Sequence, residues 1–463
     1  MNREPDFLEN LRAELSSGRV WLDRTIVLGY AVAAGLFVVA FTIASDWAFG
    51  LFQGLHRSFP WAVLLWTPAL TVAIVWVTRR WFPGAAGSGI PQVKAALHPA
   101  LPPQRRSRLV SLRLTVAKIG LAVAGLGAGL SIGREGPSVQ VAAGVMQHAR
   151  RYLSPNSPID ARALLVAGGA AGIAAAFNAP LAGVVFAIEE LYGRLETRAS
   201  GLIITAIVLS GLVAVSVFGN LSYFGVIRVP HLDWAALGPG LAVTLTTGLA
   251  GGLFSRLMAA SLTGAPGRLN GIRARWPLRF AAAGGFLIAV IGLVTGGITF
   301  GAGSEAVKQM LAGHESLSPL QTLLKFIATW LTAWCGVPGG IFAPALTIGA
   351  GIGNSISELA GHGLGPALIA MGMAGFLAAV TQTPLTAFII VMEMVDGHSM
   401  VLSLMASAML ASLVSRMISR PLYESLAEHM VGSAVASPAP AVTPPQLNHG
   451  TEAPAPGERP VSS

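Results

Sequence analysis

Gly133-Arg134-Glu135-Gly136-Pro137 interrupts a long apolar region with an arginine and a carboxylate. Apolar sequence leads into it from Leu114 to Leu130 and away from it from Val139 to Met146. The glycines and Pro137 break a helix here. Proline suits a first helical turn, so the sequence predicts a new helix opening at Pro137. Such a break aims free backbone N–H groups into the interior, with Glu135 beside them. An ionisable group at membrane depth is costly and marks a functional site. Helices broken at the bilayer midplane are a device for holding anions.

Composition sets the class. The chain has 463 residues, of which 53% are hydrophobic and 11% charged. Soluble domains carry about a quarter charged residues, so they are excluded. Apolar runs of about 20 residues recur, which predicts an all-α polytopic membrane protein. The 55 glycines suit close helix packing. The net charge of +9 follows from Lys and Arg clustered in some loops, so a nucleic-acid partner is not expected. The single cysteine, Cys335, excludes an internal disulfide and a cysteine metal site. No cofactor and no metal are expected, and no cleavable signal peptide.

Taken in order, residues 1–24 read as a short N-terminal surface segment and Thr25 to Phe52 as a first span. Trp61 to Val77 is a second. Gly87-Ser88-Gly89-Ile90-Pro91 is another glycine–proline break, opening a short helix from Gln92 to Leu97. The loop with Arg105, Arg106, Arg108 and Arg113 is strongly basic, as are His148 to Arg162 and Arg268 to Arg279. The positive-inside rule makes these cytoplasmic. Ala163 to Phe177 and Leu181 to Ile188 form a helical pair that ends at Glu189 and Glu190. Gly339-Gly340-Ile341-Phe342-Ala343-Pro344 is a third break. Pro421-Leu422-Tyr423 opens a last short helix. The Pro-, Ala- and Ser-rich sequence of residues 431–463 is expected to be a disordered cytoplasmic tail.

An internal repeat divides the membrane region (25–430) into halves of about 25–219 and 235–430. At one constant offset, Gly168/Gly372, Ala170/Ala374, Ala174/Ala378, Ala175/Ala379, Pro180/Pro384, Leu181/Leu385 and Glu189/Glu393 are identical. Pro137 matches Pro344 with a small loop-length difference. Broken helices in matching positions point to a site between the halves. The repeat alone does not distinguish parallel from inverted halves.

Together these motifs resemble the CLC family of chloride channels and proton-coupled chloride transporters. The three glycine–proline breaks match its signature sequences in order, and Pro421-Leu422-Tyr423 resembles the fourth contributor. The resemblance implies an inverted-repeat fold and a homodimer in a lipid bilayer, each subunit with its own pore for chloride and protons. It implies that Ser88 and Tyr423 offer hydroxyls to the anion, and Ile341 and Phe342 backbone N–H groups. Gly87, Gly89, Ile90, Pro91, Gly133, Arg134, Gly136, Pro137, Gly339 and Gly340 would shape the path. Glu135 would be the gating glutamate and Glu190 the internal proton glutamate. It further implies a bacterial inner membrane with cytoplasmic termini, and no nucleotide-binding regulatory domains. Gln92 departs from the family, where glutamate is frequent, and a local effect is expected.

The chemistry is coherent. A transported anion needs donors without a full positive charge, or it would not leave. Helix N-termini and hydroxyls supply them. The Glu135 carboxylate can occupy an anion position while ionised and vacate it when protonated, which couples the two fluxes. The leading expectation is therefore chloride/proton exchange, with a passive voltage- or proton-gated chloride channel as the second reading. The resemblance implies that Ser88 favours chloride over nitrate and fluoride, since relatives that prefer those anions depart from this serine.

Other readings remain beside these. Ser88 could be only a helix cap. Glu135 could pair with Arg134 or Lys118, both of which read as structural. Glu189 and Glu393 read as acids with a shared packing role. Glu190 has no acidic mate, since Met394 stands there. Tyr423 could be an interfacial aromatic. Gly129-Leu130-Ser131-Ile132-Gly133 fits the G-x-S-x-G pattern of serine hydrolases. No histidine stands at a matching depth, so the pattern reads as accidental and no enzyme is expected.

Overall fold

The structure, a computed structural model, describes residues 18–157, 159–192, 200–219, 223–225, 236–361 and 364–436. The expectations for residues 1–17, for most of the loop before Trp234 and for the tail beyond 436 lie outside the described residues.

The first half contains α1 (Gly18–Ser58), α2 (Val63–Trp81), α3 (Ile90–Leu97), α4 (Leu112–Gly127), α5 (Glu135–His148), α6 (Ala161–Ala176), α7 (Pro180–Phe186) and α8 (Ser200–Phe218). The second contains α9 (Leu237–Leu262), α10 (Pro277–Val294), α11 (Ser304–Leu311), α12 (Pro319–Cys335), α13 (Phe342–Ala360), α14 (Gly365–Thr381), α15 (Pro384–Met394) and α16 (Val401–Arg416). A final helix, α17 (Leu422–Ala436), follows. Among the described residues, six helical segments are long and apolar enough to cross a membrane. Helices dominate because a bilayer offers no water to unpaired backbone groups.

Three boundaries differ from expectation. The first span starts at Gly18, because the helix continues through the charged turn and buries Asp23, which accepts bonds from Ser154 N and Oγ, both 3.0 Å. The helix after the first-quoted break opens at Glu135, so Pro137 falls in its first turn instead of starting it. The last helix runs past Val431 to Ala436, because Val431 packs on Ala95 and Ala427.

The halves are related by a pseudo-two-fold axis, and the repeat is inverted. Gly133 and Gly340 form an antiparallel bridge in which each N–H donates to the other's carbonyl at 2.8 Å. Matching residues can exchange bonds antiparallel only across a two-fold. The matching pairs extend along both helices. Ser111 and Ser318 each cap an N-terminus, accepting from Leu114 N and Gln321 N. Lys118 and Lys325 are both buried and both bond two loop carbonyls. Gly129 and Gly336 both turn at positive φ.

Glu189 and Glu393 make the same exchange. Glu189 accepts from Leu385 N and Thr386 N at the start of α15, at 3.0 and 2.7 Å. Glu393 accepts from Leu181 N and Ala182 N at the start of α7, at 3.2 and 2.6 Å. Each carboxylate satisfies orphan N–H groups of the helix that carries its mate and opposes the positive end of that helix. Glu393→Ala and Glu189→Ala are each expected to cost about 0.5–2 kcal/mol. Thermal unfolding in detergent should show two similar downward shifts in Tm, and a wild-type Tm for either variant would refute this capping role.

Candidate functional site

The breaks meet at one point and are stitched by backbone. Beyond the Gly133–Gly340 pair, Gly339 N donates to Gly87 O at 3.1 Å, which ties the first break to the third. Lys118 reaches from α4 to Ala85 O and Gly87 O at 2.8 and 2.5 Å. Its mate Lys325 reaches from α12 to Thr299 O and Gly301 O at 3.0 and 2.7 Å. Both ammonium groups therefore hold loop carbonyls that a helix break would otherwise strand.

Around this junction, sequence-expected residues come together. Glu135 is buried at the start of α5, and its carboxylate lies against the N–H of Ala343 in the first turn of α13. Ile341 is the N-cap of α13 and Phe342 its first residue. The first bond of the α13 ladder runs from Ala345 N to Ile341 O, so the Ile341 and Phe342 N–H groups precede it. The Phe342 ring lies 5.9 Å from the Tyr423 ring, centroid to centroid. Ser88 Oγ, Tyr423 Oη and Glu135 Oε2 are all buried, and none has a hydrogen-bond partner among the described residues. Buried polar atoms are nearly always paired, so orphans gathered around two helix N-termini mark a polar ligand position.

The glycines leave the room. A Cβ at Gly136 would collide with Ser88 Oγ, and one at Gly340 would press on Gly136 N and Gly133 O. Gly87 and Gly89 adopt positive φ of 72° and 113°, which turns the chain into α3 at Ile90-Pro91. Gln92 donates its amide to Ala86 O, a bond an ionised glutamate could not make.

The ion pair and hydrogen bonds of the Arg134 guanidinium go elsewhere than to Glu135. It bonds Asp46 on α1 and Tyr223 Oη at 3.2 Å. A cavity of ≈ 920 Å³ reaches Glu135 and Arg134 past Asp46, His56, Tyr223 and Lys308. This vestibule lies at the far end of α1 from Asp23, which is tied to the basic loop at Ser154. Asp23 and Ser45, the first vestibule residue of α1, are 22 residues apart, about 33 Å at 1.5 Å per residue, so the vestibule and the loop of His148 to Arg162 lie toward opposite ends of that helix.

Glu190 sits away from the vestibule. After α7 the chain makes a π-helical turn, Ala187–Tyr192. Adjacent acids there point to different tasks. Glu189 caps α15, whereas Glu190 pairs with Lys94 of α3 at 2.7 Å. Residues 193–199, which follow this turn, lie outside the described residues.

Lys94, Asp46 and Lys325 were not singled out by the sequence pattern. Lys325 was detectable, since it stands from Lys118 as Gly340 stands from Gly133. Lys94 and Asp46 carry no motif, and their partners are remote in sequence. Ser131 Oγ shares a bond with Thr329 Oγ1 at 2.8 Å, which gives the G-x-S-x-G serine a structural partner across the two halves.

Residues 70–416 match the family described as voltage gated chloride channel. The chain is 31% identical over 393 residues to an H(+)/Cl(-) exchange transporter ClcA of Citrobacter koseri, covering 80% of each. It is 32% identical over 403 residues to the protein of the same name from Cronobacter sakazakii, covering 81% of this chain and 82% of that one. Its fold matches a slow cyanobacterial Cl-/H+ antiporter with a TM-score of 0.73 and 26% identity, covering 89% of this chain and 98% of that one.

Gly136→Ala tests the crowded contact at Ser88. The overpacking is expected to cost about 1–3 kcal/mol and to weaken halide binding, read by calorimetry in detergent. Wild-type halide affinity in this variant would separate Ser88 from the ligand position.

Proposed function

The chain belongs to the voltage-gated chloride channel family, and on that premise we propose that it carries chloride across a membrane in exchange for protons. It is a transporter and not an enzyme. One observation carries this reading: the unpaired Ser88 Oγ, Tyr423 Oη and Glu135 Oε2 gathered beside the α13 N-terminus.

Each residue has a role that follows from its chemistry. Ser88 and Tyr423 donate O–H groups, and Ile341 and Phe342 donate N–H groups, to a chloride between them. None is a full cation, so binding stays weak enough for release. Several partial charges must converge, because one helix terminus contributes only about 0.3–2 kcal/mol. The cations nearby are occupied elsewhere: Lys118 on carbonyls and Arg134 on Asp46 and Tyr223.

Glu135 stands between this position and the vestibule. Ionised, it competes with chloride for the same donors. Protonated, it loses that attraction and yields the position. Glu190 takes protons from the opposite face, so the proton path parts from the anion path near Tyr423. Tyr423 lies within electrostatic reach of both acids. Two acids on two faces support exchange over a passive channel.

The basic loops support cytoplasmic termini in a bacterial inner membrane, with the vestibule outside. We take the working unit to be a homodimer, each subunit with its own pore. Leu181 and Leu212 in one half, and Leu385 and Leu413 in the other, are exposed apolar side chains available for such a contact.

In proteoliposomes under a chloride gradient, without a proton gradient, wild-type protein is expected to drive uphill proton movement. Glu190→Ala should abolish proton movement while chloride flux continues. Chloride flux with a reversal potential set by chloride alone would sink exchange and leave a channel.

A further inference from the structure

The acid assigned to proton intake is not alone. Glu190 shares a 2.7 Å ion pair with Lys94, and its side chain is only 3% exposed, whereas that of Lys94 is 21% exposed. The lysine is thus the solvent-facing member of the pair. Lys94 lies on α3, the same eight-residue helix that opens at the Ser88 break. One short helix therefore touches the anion position at its start and the proton acid at its end. That helix is held from the other side by α17, through Ala95 against Ala427 and Val431. Tyr423 belongs to α17 as well.

The charged groups facing Glu190 are few. Lys94 of α3 is the cation, Glu189 precedes Glu190 on the same turn, and exposed Glu424 and the buried Tyr423 phenol face it from α17. Two acids oppose a charge on Glu190, and Lys94 supports it. A buried ion pair gains little stability overall, since desolvation offsets attraction. Its effect on where and when the carboxylate is charged is larger.

We propose that Lys94 is a positioning residue of the proton path, which fixes the Glu190 carboxylate and sets the internal pH range over which it accepts protons. The inference rests on the exchange reading above. For Glu190 to load, a proton must arrive while the carboxylate leaves the ammonium. Lys94 thereby raises the internal proton concentration needed for turnover. Because α3 also carries the Ser88 break, release of that tether is transmitted to the anion position.

The test is proton flux against internal pH in proteoliposomes, for wild type, Lys94→Gln, Lys94→Arg and Glu424→Gln. Without the cation, Glu190 accepts protons from a less acidic interior. The Lys94→Gln midpoint should therefore move up by about one pH unit or more. Lys94→Arg keeps the charge and should restore a midpoint close to wild type. Glu424→Gln removes an opposing acid from the surface and should move the midpoint down, by less because water screens it. A purely structural lysine would leave the Lys94→Gln midpoint at the wild-type value. If Lys94→Gln does not assemble, the Glu424→Gln and Lys94→Arg profiles still decide the matter. An unmoved midpoint in Lys94→Gln, or in Glu424→Gln where that must stand alone, overturns the proposal while wild type still couples. Absence of proton movement in wild type would instead remove the exchange reading beneath it.

Discussion

The reciprocal pair of backbone hydrogen bonds between Gly133 and Gly340 is the constraint on which the rest depends. A helix broken at membrane depth exposes N–H and C=O groups where no water can satisfy them. Here the breaks satisfy one another: Gly133 with Gly340, and Gly339 with Gly87. Side chains take others. Lys118 and Lys325 bond the loop carbonyls, and Glu189 and Glu393 bond the N–H groups at the starts of α15 and α7. A Cβ at Gly340 would press on Gly136 N and Gly133 O, and one at Gly133 would run into the Glu135 carboxylate. The N–H groups left at the head of α13 are then available to an anion.

Charge placement follows the same logic. The interior contains lysines and an arginine, yet none offers its full charge to the central position. Lys118 and Lys325 face carbonyls, and Arg134 faces Asp46 and Tyr223. A free cation there would bind chloride too tightly to let it go. The hydroxyl and N–H donors at the centre are neutral, and Glu135 is the acid buried beside them. The same cations also hold the loops, so altering their charge would disturb both the field and the shape of the site.

Much of the architecture was legible in the sequence because its signals are local. Apolar runs gave most spans, glycine–proline pairs gave the breaks, and the Pro180/Pro384 and Glu189/Glu393 matches gave the repeat. Boundaries were less legible. Gly18 begins a helix among charged residues because Asp23 finds Ser154, more than a hundred positions away. The helix extension to Ala436 depends likewise on Val431 meeting Ala95. Local propensity carries no record of such contacts.

The sequence by itself determined the class of molecule, the three breaks and the residues that could serve an anion: Ser88, Glu135, Ile341, Phe342 and Tyr423. The class and the breaks follow from composition and spacing, and the candidate anion residues from the family resemblance, none of which needs coordinates. Tertiary structure decided how the halves meet, since only the folded chain pairs the matching backbones of Gly133 and Gly340 across a two-fold. It also decided which charges are committed. Lys118 turns to carbonyls, Arg134 to Asp46 and Glu190 to Lys94. Partner choice for a buried charge is set by what lies within hydrogen-bond reach after folding, and sequence distance does not fix that reach.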